Sequence, residues 1–206
     1  MSMIIIAALA AASSALTSPD ISKIMSFGDY PQWALRKNES AAAKIEFFVD
    51  RDGKPRGCTV VAHIGSQQLA QEICGLVSKR TYPPAKLADG TQTLGFVRTI
   101  VSFYIPGAAG ANDVARARMP ADLEFNVKTS LLKAESAERY LTLQVAPDGT
   151  VQDCVPKRAY KESRVGDEWA KFCENRSLLL QPVRLDRVGQ PATYVTDIKI
   201  AIIPEG

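Results

Sequence analysis

A single histidine, His63, stands in a chain of 206 residues. That scarcity excludes most histidine chemistry: no two-histidine metal site can be assembled, and a Ser-His-Asp or Cys-His arrangement would depend on this one side chain. Its place in CTVVAHIG, next to Ala62 and Ile64, puts it on the polar face of a strand, where a surface histidine is expected. No glycine-rich phosphate loop of the P-loop or dinucleotide type is present. Carboxylate pairs such as Asp50 and Asp52 fall in turns, where solvation accounts for them. Charge of one sign is also scarce. With 25 basic and 22 acidic residues the net charge is +3, without the concentrated basic stripe that nucleic acid demands. The longest apolar run, Met3 to Ala12, falls well short of the roughly 20 residues of a membrane span. The expectation is a soluble, non-catalytic protein with no cofactor, no metal and no nucleic-acid partner.

What is present is enough apolar sequence, 46% against 23% charged, to build a buried core. The apolar run at the N-terminus is followed by small residues ending near Ala15. That is the pattern of an export signal, expected over residues 1–18, although no Lys or Arg precedes Ile4. In an exported chain, the four cysteines Cys58, Cys74, Cys154 and Cys173 read as two disulfides. Their gaps, 16 (74 − 58) and 19 (173 − 154), are too wide for the closely spaced pairs of a zinc site.

The chain also repeats itself. KIEFFVDRDG and RYLTLQVAPDG both alternate apolar residues, Ile45, Phe47 and Val49 in one and Leu141, Leu143 and Val145 in the other, and both end in Asp-Gly. Asp52/Asp148, Gly53/Gly149 and Cys58/Cys154 share one offset of 96 (148 − 52). Asp-Gly between apolar strands is a hairpin signal, because glycine accepts the positive φ of the turn. SQQLAQEICGLVSKR has Leu69, Ile73, Leu76 and Val77 at helical spacing behind Ser66 as N-cap, and its counterpart VGDEWAKFCENRS offers Trp169, Phe172 and Cys173. YPPAKLADGTQ aligns with LQPVRLDRVGQ, pairing Pro84 with Pro182, Lys86 with Arg184, Leu87 with Leu185 and Gly90 with Gly189. Each half closes on a β-rich run, VRTIVSFYIP and VTDIKIAIIP. The opening helices are expected at YPQWALRKN and LEFNVKTSLLKAES, and Trp33 and Trp169 read as core anchors.

The expected fold is therefore α+β: two tandem small domains, each a short antiparallel sheet with two helices packed on one face. They are placed at 27–106 and 119–206, joined by GAAGANDVARAR (107–118) as a surface linker. Of the three pairings that four cysteines permit, only Cys58–Cys74 with Cys154–Cys173 gives both copies the same bond.

These residues resemble a known family, the C-terminal domain of TonB, the periplasmic part of bacterial energy transducers. In the first half the likeness rests on Tyr30-Pro31 opening a helix, the strand ending at Val49, Asp52-Gly53, and Gly65-Ser66 before a helix with Leu69. It continues through Tyr82, Pro84, Ala85 and Gly90 to the final strand. It is fainter over 119–206, where Asp148-Gly149, the cysteines, Pro182 and Gly189 match and the opening Tyr-Pro is missing. The paired cysteines resemble a disulfide-bearing branch of the family.

The resemblance implies recognition of an extended peptide by strand addition, with affinity supplied mainly by main-chain hydrogen bonds. Carried over, the contacting residues are Gly28, Asp29 and Tyr30 with Val97, Arg98, Thr99, Val101 and Phe103 of the final strand. The implied partner is an envelope protein such as a TonB-dependent outer-membrane receptor, the implied location the periplasm, and the implied process TonB-dependent transmembrane transport. Charges guard edge strands against aggregation. Asp197 and Lys199 in the second half, against Arg98 alone in the first, make the first copy the expected binding one. Two other readings remain open: a structural envelope protein whose sheet edges pair with each other or in a homodimer, and an exported enzyme or enzyme inhibitor.

Overall fold

The computed structural model describes residues 15–128, 137–157 and 172–205; the expected leader lies outside them up to residue 14, as does Trp169. In the first half the strand pattern holds. β1 (Ala41–Val49) buries Ile45, Phe47 and Val49 completely and turns into β2 (Pro55–Gly65). Gly53 makes the turn: its φ is +78°, and a Cβ there would lie 2.3 Å from the Tyr82 carbonyl oxygen, which no side chain tolerates. A 3-10 turn (Phe27–Asp29) and α1 (Gln32–Arg36) precede β1. After β2 comes α2 (Gln67–Val77), started by Ser66, whose Oγ accepts the Leu69 N–H at 3.4 Å. Leu69, Ile73 and Val77 are fully buried against β1, each contributing about 1.5–3 kcal/mol of apolar burial. Cys58–Cys74 ties β2 to α2 with Cα atoms 5.5 Å apart. β3 (Ala85–Lys86) and β4 (Gln92–Phe103) complete the half, β4 lying antiparallel to β1 with Ile45 opposite Thr99.

The expected surface linker is in part a helix, α3 (Ala111–Arg116). Its Ala111 and Val114 are buried, so the segment is packed and does not merely bridge. The second half has β5 (Leu123–Lys128), β6 (Ala137–Val145), β7 (Val151–Lys157) and β8 (Tyr194–Glu205). Here the expected opening helix is corrected. Residues 123–128 form a strand, because Leu123 and Phe125 alternate and pack on the second core while the backbone fills the outer edge of β8. Residues 129–136 lie outside the described ones. Residues 172–174 are helical, and Cys173 bonds Cys154 with Cα atoms 5.2 Å apart.

Among the described residues both halves belong to one mixed, eight-stranded sheet in the order β2-β1-β4-β8-β6-β7, with β3 on β4 and β5 on β8. The expectation of antiparallel sheets is corrected at two places, since β4–β8 and β5–β8 are parallel. The register Gly95↔Val195, Phe96↔Thr196 places Phe96 in the second core, while Val97 beside it belongs to the first. The two cores therefore lie on opposite faces of the sheet. Parallel central strands with cores on opposite faces amount to a half-turn about an axis along the strands.

Matching geometry recurs across that axis. Ile45↔Thr99 and Leu141↔Ile198 hold corresponding places, as do Val49↔Pro55 and Val145↔Val151, each just beyond a register irregularity. Gly53 O accepts the Tyr82 N–H at 2.8 Å, and Gly149 O accepts the Gln181 N–H at 2.9 Å. The later alignment shifts by one residue. Leu87 N–H donates to Thr91 O and Asp186 N–H to Gln190 O. By this bonding Leu87 matches Asp186 and Pro83 matches Pro182, one step from the pairings of Pro84, Lys86 and Leu87 read in the sequence, while Gly90 and Gly189 keep theirs.

Residues 15–18, counted with the leader in the sequence reading, are part of the fold. Leu16 is buried against Ala85 and Val195, and Thr17 pairs with Lys86.

Candidate functional site

β4 is the strand on which the two halves meet. It pairs with β8 only from Leu94 to Phe96; from Val97 to Phe103, among the described residues, its ladder partner is β1 alone. Beyond the fork β8 takes β5 as its neighbour instead, beginning at Leu123↔Ile200. An unpaired strand edge presents N–H and C=O groups that another chain can pair with.

A polar knot holds the fork open. Arg98 of β4 forms an ion pair with Asp122, and Asp122 also accepts the Lys199 N–H at 2.8 Å while donating its own N–H to Lys199 O at 2.7 Å. Lys199 Nζ donates to Met119 O at 2.9 Å and pairs with Glu138 at 2.8 Å. A cleft of about 310 Å³ opens beside it, lined in part by Arg98, Thr99, Tyr140 and Asp197. Asp197 and Lys199 do not serve as the edge guards that the sequence suggested. Asp197 accepts from Ser18, Thr142 and Lys157, and the Lys199 side chain is buried in the knot.

The sequence-picked residues form a line along the first half. Val97, Val101 and Phe103 are buried in the first core, so their side chains face α2 and not a partner; what β4 offers outward is main chain, with half-exposed Arg98 and Thr99. Tyr30 stacks on Phe103 at 4.8 Å between ring centroids and donates its hydroxyl to Glu39 O at 2.5 Å; burial raises its pKa. Asp29 accepts the Ser26 hydroxyl at 2.8 Å and its N–H at 2.5 Å, and pairs with Arg80. The Ser26 bonds first, then the Arg80 charge, hold its pKa below the usual value. Gly28 sits in the exposed 3-10 turn, with open space where a Cβ would be. Tyr30 thus joins the far end of β4, while Arg98 belongs to the fork. Trp33 packs on the first core and donates Nε1–H to Glu72 at 3.2 Å, and His63 is exposed on β2.

One residue was misread. Asp50, assigned from sequence to a solvated turn, is 3% exposed. Its carboxylate accepts the N–H groups of Asp52 at 3.0 Å and Lys54 at 2.9 Å and the Arg56 Nε at 2.7 Å, and it also pairs with Arg187. Burial alone would raise its pKa, but the Arg56 guanidinium, the two amides and the Arg187 charge outweigh it and hold the carboxyl below its usual value. The sequence signal was faint: a second aspartate two residues before the turn's Asp-Gly, with no counterpart at Ala146.

No helix among the described residues is long and apolar enough to cross a membrane, and none of their acidic, histidine and cysteine side chains cluster as a metal site. No curated protein and no solved structure matches the chain. One family does: residues 28–105, from the 3-10 turn through the end of β4, match the Gram-negative bacterial TonB protein C-terminal domain, a periplasmic protein-interaction family, and the first half of this chain is similar to it.

Proposed function

We propose that the chain is a periplasmic, non-catalytic protein-binding module that takes up an extended segment of an envelope protein along the outer edge of β4, by strand addition. The observation that carries this reading is the β4 edge from Val97 to Phe103, which lies inside the family-matched stretch and pairs only with β1 among the described residues. A TonB-dependent outer-membrane receptor is the partner the family suggests, and TonB-dependent transport the process. The contacts are the main chain of Val97, Arg98, Thr99, Val101 and Phe103, with Gly28, Asp29 and Tyr30 at the far end.

The second half, 119–206, is read as a divergent copy of the first, 27–106. The paired registers, the two disulfides and the half-turn relation support that reading. It makes β8 the counterpart of β4. In β8 that outer edge is already taken by β5, which favours the first half as the one that binds.

A structural role is the second reading, favoured by the parallel ladder Leu94–Phe96 with Tyr194–Thr196, in which the two halves consume part of each other's edge.

Capture of a receptor from envelope extracts tests the choice, with Thr99→Pro as the variant and circular dichroism as the check on folding. Strand addition predicts that the folded proline variant loses capture. Equal capture by both proteins would refute it, and a monomer with no envelope partner would favour the structural role.

A further inference from the structure

The N-terminal segment 15–20 shows how this fold binds an extended chain. Thr17 and Lys86 exchange both main-chain hydrogen bonds, Thr17 N–H to Lys86 O at 3.0 Å and Lys86 N–H to Thr17 O at 2.9 Å. Leu16, one residue earlier, is 3% exposed against Ala85 and Val195.

The second half contains the same docking edge, 99 positions on (185 − 86). Ala85↔Thr93 and Lys86↔Gln92 correspond to Arg184 with Ala192 and Leu185↔Pro191. Arg184 O accepts the Ala192 N–H at 2.9 Å and Asp186 N–H donates to Gln190 O at 2.8 Å. By strand alternation, the N–H and C=O of Leu185 point to the opposite side, as those of Lys86 do toward Thr17. Among the described residues nothing bonds them. Exposed apolar side chains flank this edge in the chain: Leu180, Val183, Leu185 and Val188 are 65%, 50%, 52% and 78% exposed. Such exposure concentrated in one short stretch of chain, 180–188, points to an interaction surface more than single scattered residues do.

The chemistry of the occupant is set by what replaces the Leu16 site. Ala85 and Val195 give way to Arg184 and Phe96. The guanidinium lies 3.3 Å from the Phe96 ring centroid and 6.0 Å from that of Tyr194, and its buried Nε has no acceptor among the described residues. Asp122 lines the same cavity as Arg184 but is paired with Arg98 and leaves the Nε without an acceptor, which a leucine cannot supply and a carboxylate can.

We propose that the edge at 184–186 docks an extended acidic peptide segment of a partner protein. The peptide main chain exchanges two hydrogen bonds with Leu185, and the carboxylate of the preceding peptide residue is received by Arg184. This is a second edge, apart from that of β4, so either can fail without the other.

The test is an NMR titration of the labelled full chain with a synthetic peptide of residues 15–20 carrying Leu16→Glu, compared with the same peptide carrying Leu16→Lys. Expected are shifts at the Leu185 amide and the Arg184 Nε–H and a preference of about tenfold for the glutamate peptide. Arg184→Met should erase that preference and the exposed change Val183→Glu should weaken binding, while Thr99→Pro leaves both unchanged. The proposal is overturned by no binding, by shifts at Lys86 in place of Leu185, or by a glutamate preference that survives in folded Arg184→Met.

Discussion

Arg187, in the last turn before β8, pairs with Asp50 at the end of β1, a residue 137 positions away in the chain. The Asp50 side chain is 4% exposed and that of Arg187 51%, so the two ends of the pair are not equivalent. Truncating Arg187 removes one of several partners from a carboxylate that keeps Arg56 and two amides. Truncating Asp50 leaves two amides and the Arg56 Nε without their acceptor and Arg187 with Asp52 alone, at 3.3 Å. Thermal and denaturant unfolding should show Asp50→Ala losing about 2–4 kcal/mol and Arg187→Ala under about 1 kcal/mol. Equal losses would contradict this ranking.

The same carboxylate makes stability depend on pH. Its folded pKa lies below the ordinary value of 3.8. Its contribution is therefore complete above that value and is lost as pH falls through the folded pKa. Denaturant titrations at pH 7, 4 and 3 should show a loss of stability at the acid end that is smaller in Asp50→Asn. The same acid slope in both proteins would assign the effect to other carboxylates.

Two glycines should respond in opposite ways. Gly53→Ala puts a Cβ 2.3 Å from the Tyr82 carbonyl oxygen at a φ of +78°, which should cost more than about 1 kcal/mol. Gly28→Ala meets open space and should leave the unfolding midpoint where it is. Differential scanning calorimetry of the two variants decides it.

Each disulfide closes a short loop, of 16 and 19 residues by sequence separation, for which the chain-entropy model gives about 3 kcal/mol. Replacing Cys58 and Cys74 together by serine should destabilise the protein by that order, and non-reducing peptide mapping of the parent chain should find no bridge between the halves.

The hairpins were legible because their causes are local: alternating apolar residues, an Asp-Gly turn, and a cysteine at the same distance behind each. The joining of the halves was not. Nothing near Leu94 or Tyr194 announces a parallel ladder between strands 100 positions apart (194 − 94). LEFNVKTSLLKAES misled for a related reason. Its first six residues alternate as a strand, but a strand is favoured there only because β8 has an edge to fill. Asp50 looked like a solvated turn residue until Arg187 arrived from the other half. Of the picked binding residues, Val97, Val101 and Phe103 lie on β4, and their side chains serve the first core. A strand-adding site is made of main chain, which sequence patterns do not display.

The most direct measurement is residue-resolved amide exchange across β4 in the isolated protein. With β1 alone as partner beyond Phe96 among the described residues, amides from Val97 to Phe103 should alternate, those facing β1 protected and those facing outward exchanging freely, while Gly95 and Phe96, flanked by β1 and β8, are protected on both sides. Uniform protection from Val97 to Phe103 in a monomer would mean the edge is closed, and would contradict the account.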